Sequence, residues 1–405
     1  MQNIKKTILI IGALDTKGEE CLYIRDLVAR SGLNSLIIDF GTLGKPTLEG
    51  DISREAVAAR TGCELRQLIQ TGDKGKIIQT MTEGVTAWVN ELYTTEKIHG
   101  VIALGGGQGT AMGTAAMQLL PIGFPKVMVS TIASGNMRPF IHTKDIAVFH
   151  SVTDVFGLNF VFTRILKNAV AALVAMTQTY KPIQKGTRTV IGATAFGVTT
   201  PGLMKMKRTF NGIGIEMVFF HANGIGGQAM EEMAAAGYFD AVIDWSTQEI
   251  IAEVGEGIFS AGQDRLEILA KTNLPYIIAP GAIDYITMGP YETLPESWKK
   301  RNLIIHNRHI TLVRATAREM RRAAEFLCLK VNRAIGPVKI LIPLKGFSEP
   351  NAEGKPFYDP EADQAFLGTL EKHLREDIEL VKVDAHINDD EFVETAVQHM
   401  MSKIT

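Results

Sequence analysis

Cysteine is scarce in this chain, and Cys21, Cys63 and Cys328 share no C-x-x-C spacing, so neither a disulfide framework nor a zinc knuckle is readable. A reducing, cytoplasmic setting is expected. An excess of one charge is missing too. The 42 basic and 44 acidic residues are interspersed and leave a formal charge of −2, which gives a nucleic-acid backbone no basic face to bind. No apolar run crosses a membrane uninterrupted. The nearest, Leu158 to Tyr180, carries Arg164, Lys167 and Asn168 on one face, the pattern of an amphipathic helix packed at a domain or subunit contact. The first residues, Met1 to Lys6, lead straight into a strand-like segment, Thr7 to Ile11, with no signal-peptide core, so secretion is not expected. Low-complexity segments are absent. So are the standard nucleotide fingerprints: Gly12 to Gly18 is not G-x-x-x-x-G-K-[ST], and Thr110 stands where G-x-G-x-x-G needs glycine.

What is present is an alternation of short apolar runs with longer helical patterns over 405 residues, too many for one core. Thr7–Ala13, Leu33–Asp39, Val101–Gly105, Lys126–Thr131 and Ile146–Val152 read as strands, with helices near Glu19–Ser31, Asp73–Lys97 and Thr110–Leu119. The polar stretch Tyr180 to Arg188 interrupts the pattern. It then restarts with Thr189–Thr194, Glu216–Ala222, Ala241–Trp245, Pro275–Ala279, Leu303–His306, Lys339–Pro343 and Glu379–Asp384. This predicts an α/β protein of two Rossmann-like domains, residues 1–182 and 183–405, each a mostly parallel sheet flanked by helices, with a cleft between them. Thr200 before Pro201 and Asp359 before Pro360 read as helix caps.

The most informative stretch is Leu104-Gly105-Gly106-Gly107-Gln108-Gly109-Thr110, glycine backbone between a strand and a helix. Such a turn presents N–H groups at the positive end of the helix dipole and suits an anion. Gly12 to Glu20 closes the first strand and sets Asp15, Thr16 and Lys17 at the same carboxyl edge, with a helix cap as the plainer role for Asp15 or Thr16. Ser130 to Asn136 follows the fourth strand with small hydrogen-bonding side chains. Asp39 suits either a ribose hydroxyl or a turn. Asp145 or Asp154 offers one carboxylate to magnesium, and His150 reads as a buried histidine.

In the second half, His221 leaves a very apolar strand just before a second glycine turn, Gly224-Ile225-Gly226-Gly227-Gln228. Asp244, Asp284 and His306 also sit where parallel strands are expected to meet their loops. Each reads equally as a cap or core partner and as a group for proton transfer.

These segments, with Val152-Thr153-Asp154, Phe196 to Pro201, His221 to Glu231, Ser260 to Leu266 and Asp359 to Asp363, occur in an order that identifies a family. The chain resembles, nearly end to end, the uncharacterised conserved bacterial family whose plant relatives form the N-terminal, ATP-binding domain of the tomato mosaic virus resistance protein. The resemblance implies a two-domain α/β protein that binds ATP with magnesium as a homodimer. It assigns nucleotide contacts to Gly12, Asp15, Thr16, Lys17, Gly105, Gly106, Gly107, Gly109, Thr110, Ser130, Thr131, Ala133, Ser134 and Gly135. The chain departs from the family's Gly-Gly-Ser-Gly-Gly-Thr at Gly107-Gln108, from its threonine at Asn223 and from its proline at Arg308.

Three readings follow. In the first, ATP lays its phosphates on the glycine turn, with Lys17 and magnesium offsetting their charge. In the second, the chain is a hydrolase- or lyase-type enzyme on a small anionic metabolite, a carboxylate or carbonyl compound, with His221 as general acid or base beside Asp284 or His306. In the third, the chain acts through protein contact at Leu158 to Tyr180. Nucleic acid and membrane are not expected partners.

Overall fold

A computed structural model describes residues 5–404. Met1–Ile4, part of the segment read as leading into the first strand, lie outside the described residues. The chain divides into two compact units, Met1–Gln184 and Lys185–Thr405.

The N-terminal unit is built on β1 (Thr7–Gly12), β2 (Asn34–Asp39), β3 (Gly100–Gly105), β4 (Lys126–Ser130) and β5 (Ala147–His150), all parallel in the order β2-β1-β3-β4-β5. Both faces of this sheet are covered. Alternate residues of β1 go to opposite cores, Leu9 and Ile11 to one and Ile8 and Ile10 to the other, which is why the strand reads as an unbroken apolar run. The helix Phe160–Thr179 is long and apolar enough to cross a membrane by composition. Its buried residues Phe162, Leu166, Ala169, Val170, Leu173 and Val174 instead form one stripe against the sheet, while Arg164, Lys167 and Asn168 face outward.

In the C-terminal unit, β6 (Val190–Ala195), β7 (Glu216–His221), β8 (Ala241–Ser246), β9 (Tyr276–Gly281), β13 (Val338–Pro343) and β14 (Glu379–Val383) form a parallel sheet, ordered β14-β13-β9-β8-β6-β7. Between β9 and β13 the chain adds β10 (Tyr285–Met288), β11 (Leu303–Asn307) and β12 (Ile310–Arg314), a separate antiparallel sheet ordered β10-β12-β11. Leu303–His306, expected in the main sheet, is therefore corrected to a strand of this small one. Its half-exposed residues suit a sheet open on one side. The cap at Thr200 is corrected as well: the cap residue is Thr199, and the Thr200 hydroxyl donates back to the Phe196 carbonyl. Asp359 caps as expected, accepting from the Ala362 N–H.

In each unit the strand order reverses once at the carboxyl edge, between β1 and β3 and between β6 and β8. Neighbouring loops diverge there to opposite faces and leave a crevice, where open parallel sheets bind their ligands.

Candidate functional site

The crevice of the N-terminal unit is shaped by glycines and by one aspartate turned sideways. From β3 the chain passes Gly106, the helix cap, into the helix Gly107–Gln118, so the helix starts three residues before the expected Thr110. Gly106 has no side chain to cap the first turn. The N–H of Thr110 bonds to the Gly106 carbonyl, whereas those of Gly107, Gln108 and Gly109 have no partner among the described residues. Gly105 and Gly109 pack backbone to backbone, and a Cβ on Gly105 would come within 2.9 Å of the Gly109 Cα. Around Gly107 there is open space instead, and a Cβ on Gly106 would meet only Thr131 Oγ1, at 3.6 Å.

Opposite, β1 leads through Ala13 into the helix Leu14–Arg30, which kinks at Lys17. Asp15 does not cap this helix. One of its oxygens accepts the N–H groups of Leu43 at 2.7 Å and Gly44 at 3.1 Å, and the other, Oδ1, is buried without a partner. Asp39 is a joint: its Oδ1 accepts the N–H groups of Leu14 and Gly41, and burial pushes its carboxyl above the usual range.

A cavity of about 250 Å³ lies between these walls, lined by Ala13, Asp15, Thr16 and Lys17, by Phe40 to Leu43, and by Leu104 to Gly109. It thus gathers Asp15, Thr16, Lys17, Gly105, Gly106, Gly107 and Gly109. The remaining assigned contacts lie elsewhere. Gly12 is packed on Cys21, where a Cβ would come within 2.4 Å of its Sγ. Thr110 and Ser130 are fully buried and hydrogen-bond each other at 2.7 Å, fastening the helix to β4. Thr131 anchors its N–H on Gly105, and Ala133, Ser134 and Gly135 belong to a turn outside the cavity wall. Residues 40–43 were missed, although they leave the strand next to β1 at the same edge.

Asp145, His150 and Asp154 do not line this cavity. Asp145 pairs with Lys126 at 2.7 Å, and Asp154 accepts the N–H of Val155. His150, expected to be buried, is exposed because β5 is an edge strand. Among the described residues no three acidic, histidine or cysteine side chains cluster as a metal site.

The second glycine turn already holds an anion of the chain's own. The Glu249 carboxylate accepts the N–H groups of Gly224 at 2.8 Å and Gly227 at 3.3 Å. Its other oxygen meets Arg265, a fully buried guanidinium that also pairs with Asp244 and Glu231. Burial outweighs the attraction of Arg265 and raises the Glu231 carboxyl to about 7. Asp244 is thus a core partner.

His221 and His306 come together in the wall of a different cavity, about 440 Å³, with Phe196, Phe259, Tyr285, Leu312 and Glu349. Asp284 does not join them. It is fully buried, accepts from Ser348 Oγ at 2.8 Å, and is pushed upward by burial. Neighbouring Arg314 donates to the Asp284 carbonyl and pairs with Asp363, whose carboxyl burial raises to about 7.

Comparison with known proteins gives matches along the whole chain. Models of the uncharacterised protein family (UPF0261) match with its N-terminal domain over residues 6–182 and its C-terminal domain over residues 188–404. A UPF0261 protein of Clostridium tetani is 42% identical over 390 residues, 96% of each chain. The ToMV resistance protein Tm-1(GCR237) of Solanum lycopersicum is 32% identical, over 99% of this chain and 56% of its own. Among solved structures, a putative UDP-N-acetylglucosamine 2-epimerase from Listeria monocytogenes is 12% identical, covering 68% of this chain and 79% of its own, with a TM-score of 0.20. Acinetobacter baumannii MurG is 13% identical, covering 98% and 99%, with a TM-score of 0.22. Likenesses this distant carry no functional argument.

Proposed function

The chain belongs to the uncharacterised protein family UPF0261, and from that premise we propose that its N-terminal unit binds ATP with magnesium at the crevice between β1 and β3. The observation that carries this reading is the row of unpartnered N–H groups at Gly107, Gln108 and Gly109, opening into a cavity that Lys17 also lines. A polyphosphate supplies the acceptors those groups lack, and the helix dipole and the lysine ammonium offset its charge. Phe40 and Leu43 give the same cavity an apolar wall.

Magnesium fits in one way. Asp15 Oδ1 is a buried acceptor with no partner at the cavity wall, and one carboxylate suffices for an ion that takes its other oxygens from phosphates and water. When bound, the ion would neutralise phosphate charge. The chain's own part is to hold Asp15 rigid through the Leu43 and Gly44 amides and to keep the helix end open through glycine.

The same reading includes a cytoplasmic homodimer. The cysteines, all free, support a reducing compartment, and sedimentation at micromolar concentration tests the dimer. The site is tested by titration calorimetry with ATP and magnesium. Lys17→Ala should weaken binding about tenfold, the worth of a charge-assisted hydrogen bond. Gly106→Val, whose Cβ meets nothing closer than Thr131 Oγ1 at 3.6 Å, should fold normally and block the phosphates. Unchanged affinity in both variants rejects the site.

A further inference from the structure

We propose that the C-terminal unit carries a second small-molecule site, independent of the glycine turn, for a compound with an aromatic-sized apolar body and a carbonyl oxygen that accepts from the Tyr285 hydroxyl. The site is the 440 Å³ cavity at the carboxyl edge of the C-terminal sheet. Its size lies within the range of small-molecule sites, which are mostly apolar with a few placed polar groups.

Two elements make it. The ends of β6 and β7 supply Phe196 and His221, and the antiparallel sheet supplies Tyr285, Thr287, His306 and Leu312. The His221 imidazole stacks on the Phe196 ring, 5.3 Å between centroids and 10° between planes, and Phe259 meets Phe196 edge-on at 6.1 Å. Flat rings at this spacing form a surface on which another flat or branched apolar group packs well.

The polar requirement comes from Tyr285. It is fully buried, with the Phe196 ring centre 6.5 Å and the Phe357 ring centre 5.6 Å away, and its hydroxyl has no partner among the described residues. Burial drives the phenol well above its ordinary pKa, so the group stays an O–H donor and what it lacks is an acceptor. A buried hydroxyl left unpaired is costly, and a ligand oxygen that reaches it recovers that cost. Thr287 is less demanding, because its hydroxyl oxygen already accepts from Gln248 at 2.8 Å.

The oxygen is a neutral carbonyl on charge grounds. No lysine or arginine lines the cavity, and its one carboxylate, Glu349, is exposed and paired with Lys355. A charged head at the buried end would lose its hydration without a cation in return. His221 and His306 stand exposed at the mouth.

The test uses acetophenone and ethylbenzene, nearly the same shape with and without the oxygen, in saturation-transfer NMR on the full chain. Acetophenone should bind more tightly than ethylbenzene. Tyr285→Phe should lower acetophenone affinity about tenfold, leave ethylbenzene unchanged, and keep or raise the melting temperature of the free protein, since it removes an unpaired hydroxyl. Leu312→Trp, which fills the cavity, should abolish both signals. Equal affinity for the two compounds, an unchanged acetophenone affinity in Tyr285→Phe, or binding that survives Leu312→Trp overturns the proposal. ATP affinity should be unaffected throughout, so failure of the nucleotide site would leave this result standing.

Discussion

At Lys17 the helix Leu14–Arg30 breaks its regular geometry, and the ammonium lies 5.7 Å from the centre of the exposed Phe156 ring as well as beside the cavity. A side chain that only solubilised this helix would tolerate glutamine. A phosphate ligand would not: Lys17→Gln should lower ATP affinity about as much as Lys17→Ala, while Lys17→Arg should retain most of it, as calorimetry would read. Residue-scale logic also accounts for the second glycine turn. A Cβ on Gly227 would come within 2.2 Å of both Arg265 Nε and Glu249 Oε2, groups locked in a buried ion cluster. Gly227→Ala should destabilise the protein by about 3 kcal/mol, seen as a lower urea midpoint. Both glycine turns were legible in the sequence. That Glu249 fills one of them was not, because the carboxylate arrives from the helix Gln248–Val254 that follows β8, and no spacing announces it.

At the scale of the element, the helix Gly107–Gln118 has no side chain capping its N-terminus. This gives a prediction with opposite signs. Gly107→Asp places a carboxylate at the first helical position, in open space, so thermal stability should rise by about 0.5–1 kcal/mol through the dipole and the loss of a helical glycine. ATP binding should fall steeply, because the new carboxylate occupies and repels where phosphate would lie. A variant that gains stability and keeps its affinity would remove the helix end from the site. The hairpin β11–β12 shows the opposite limit of reading elements from sequence. Leu303–His306 has strand-like residues, but its partner is set by antiparallel pairing with β12, which a count of alternating strands does not reveal.

At the scale of the whole molecule, buried carboxylates decide the response to pH. Glu231 and Asp363 have folded-state values of about 7 against ordinary values of 4.5 and 3.8. The folded chain therefore holds more protons than the unfolded chain between these limits, and stability falls as pH rises through that window. The melting temperature should decline from pH 5 to pH 7.5, and Glu231→Gln should flatten the decline because it no longer has a proton to lose. A slope untouched by Glu231→Gln would show that burial does not govern this group. Carboxylates whose values are lowered, such as Asp240 and Glu379, titrate below the window, whereas His99 and His399, held below their ordinary value first by burial and then by Lys6 and Lys339, oppose part of the decline.

Local chemistry, readable along the chain, determined the two parallel-sheet units, the amphipathic nature of Phe160–Thr179 and the glycine turn at Gly105 to Gly109, because apolar period and glycine's backbone freedom act over a few residues. Only the tertiary structure decided which assigned groups face a cavity. Thr110 and Ser130 satisfy each other across two elements, Asp284 is enclosed beneath Ser348, and Asp15 is pulled aside by the amides of Leu43 and Gly44. A polar side chain takes whichever partner is nearest in space, and sequence distance does not measure that.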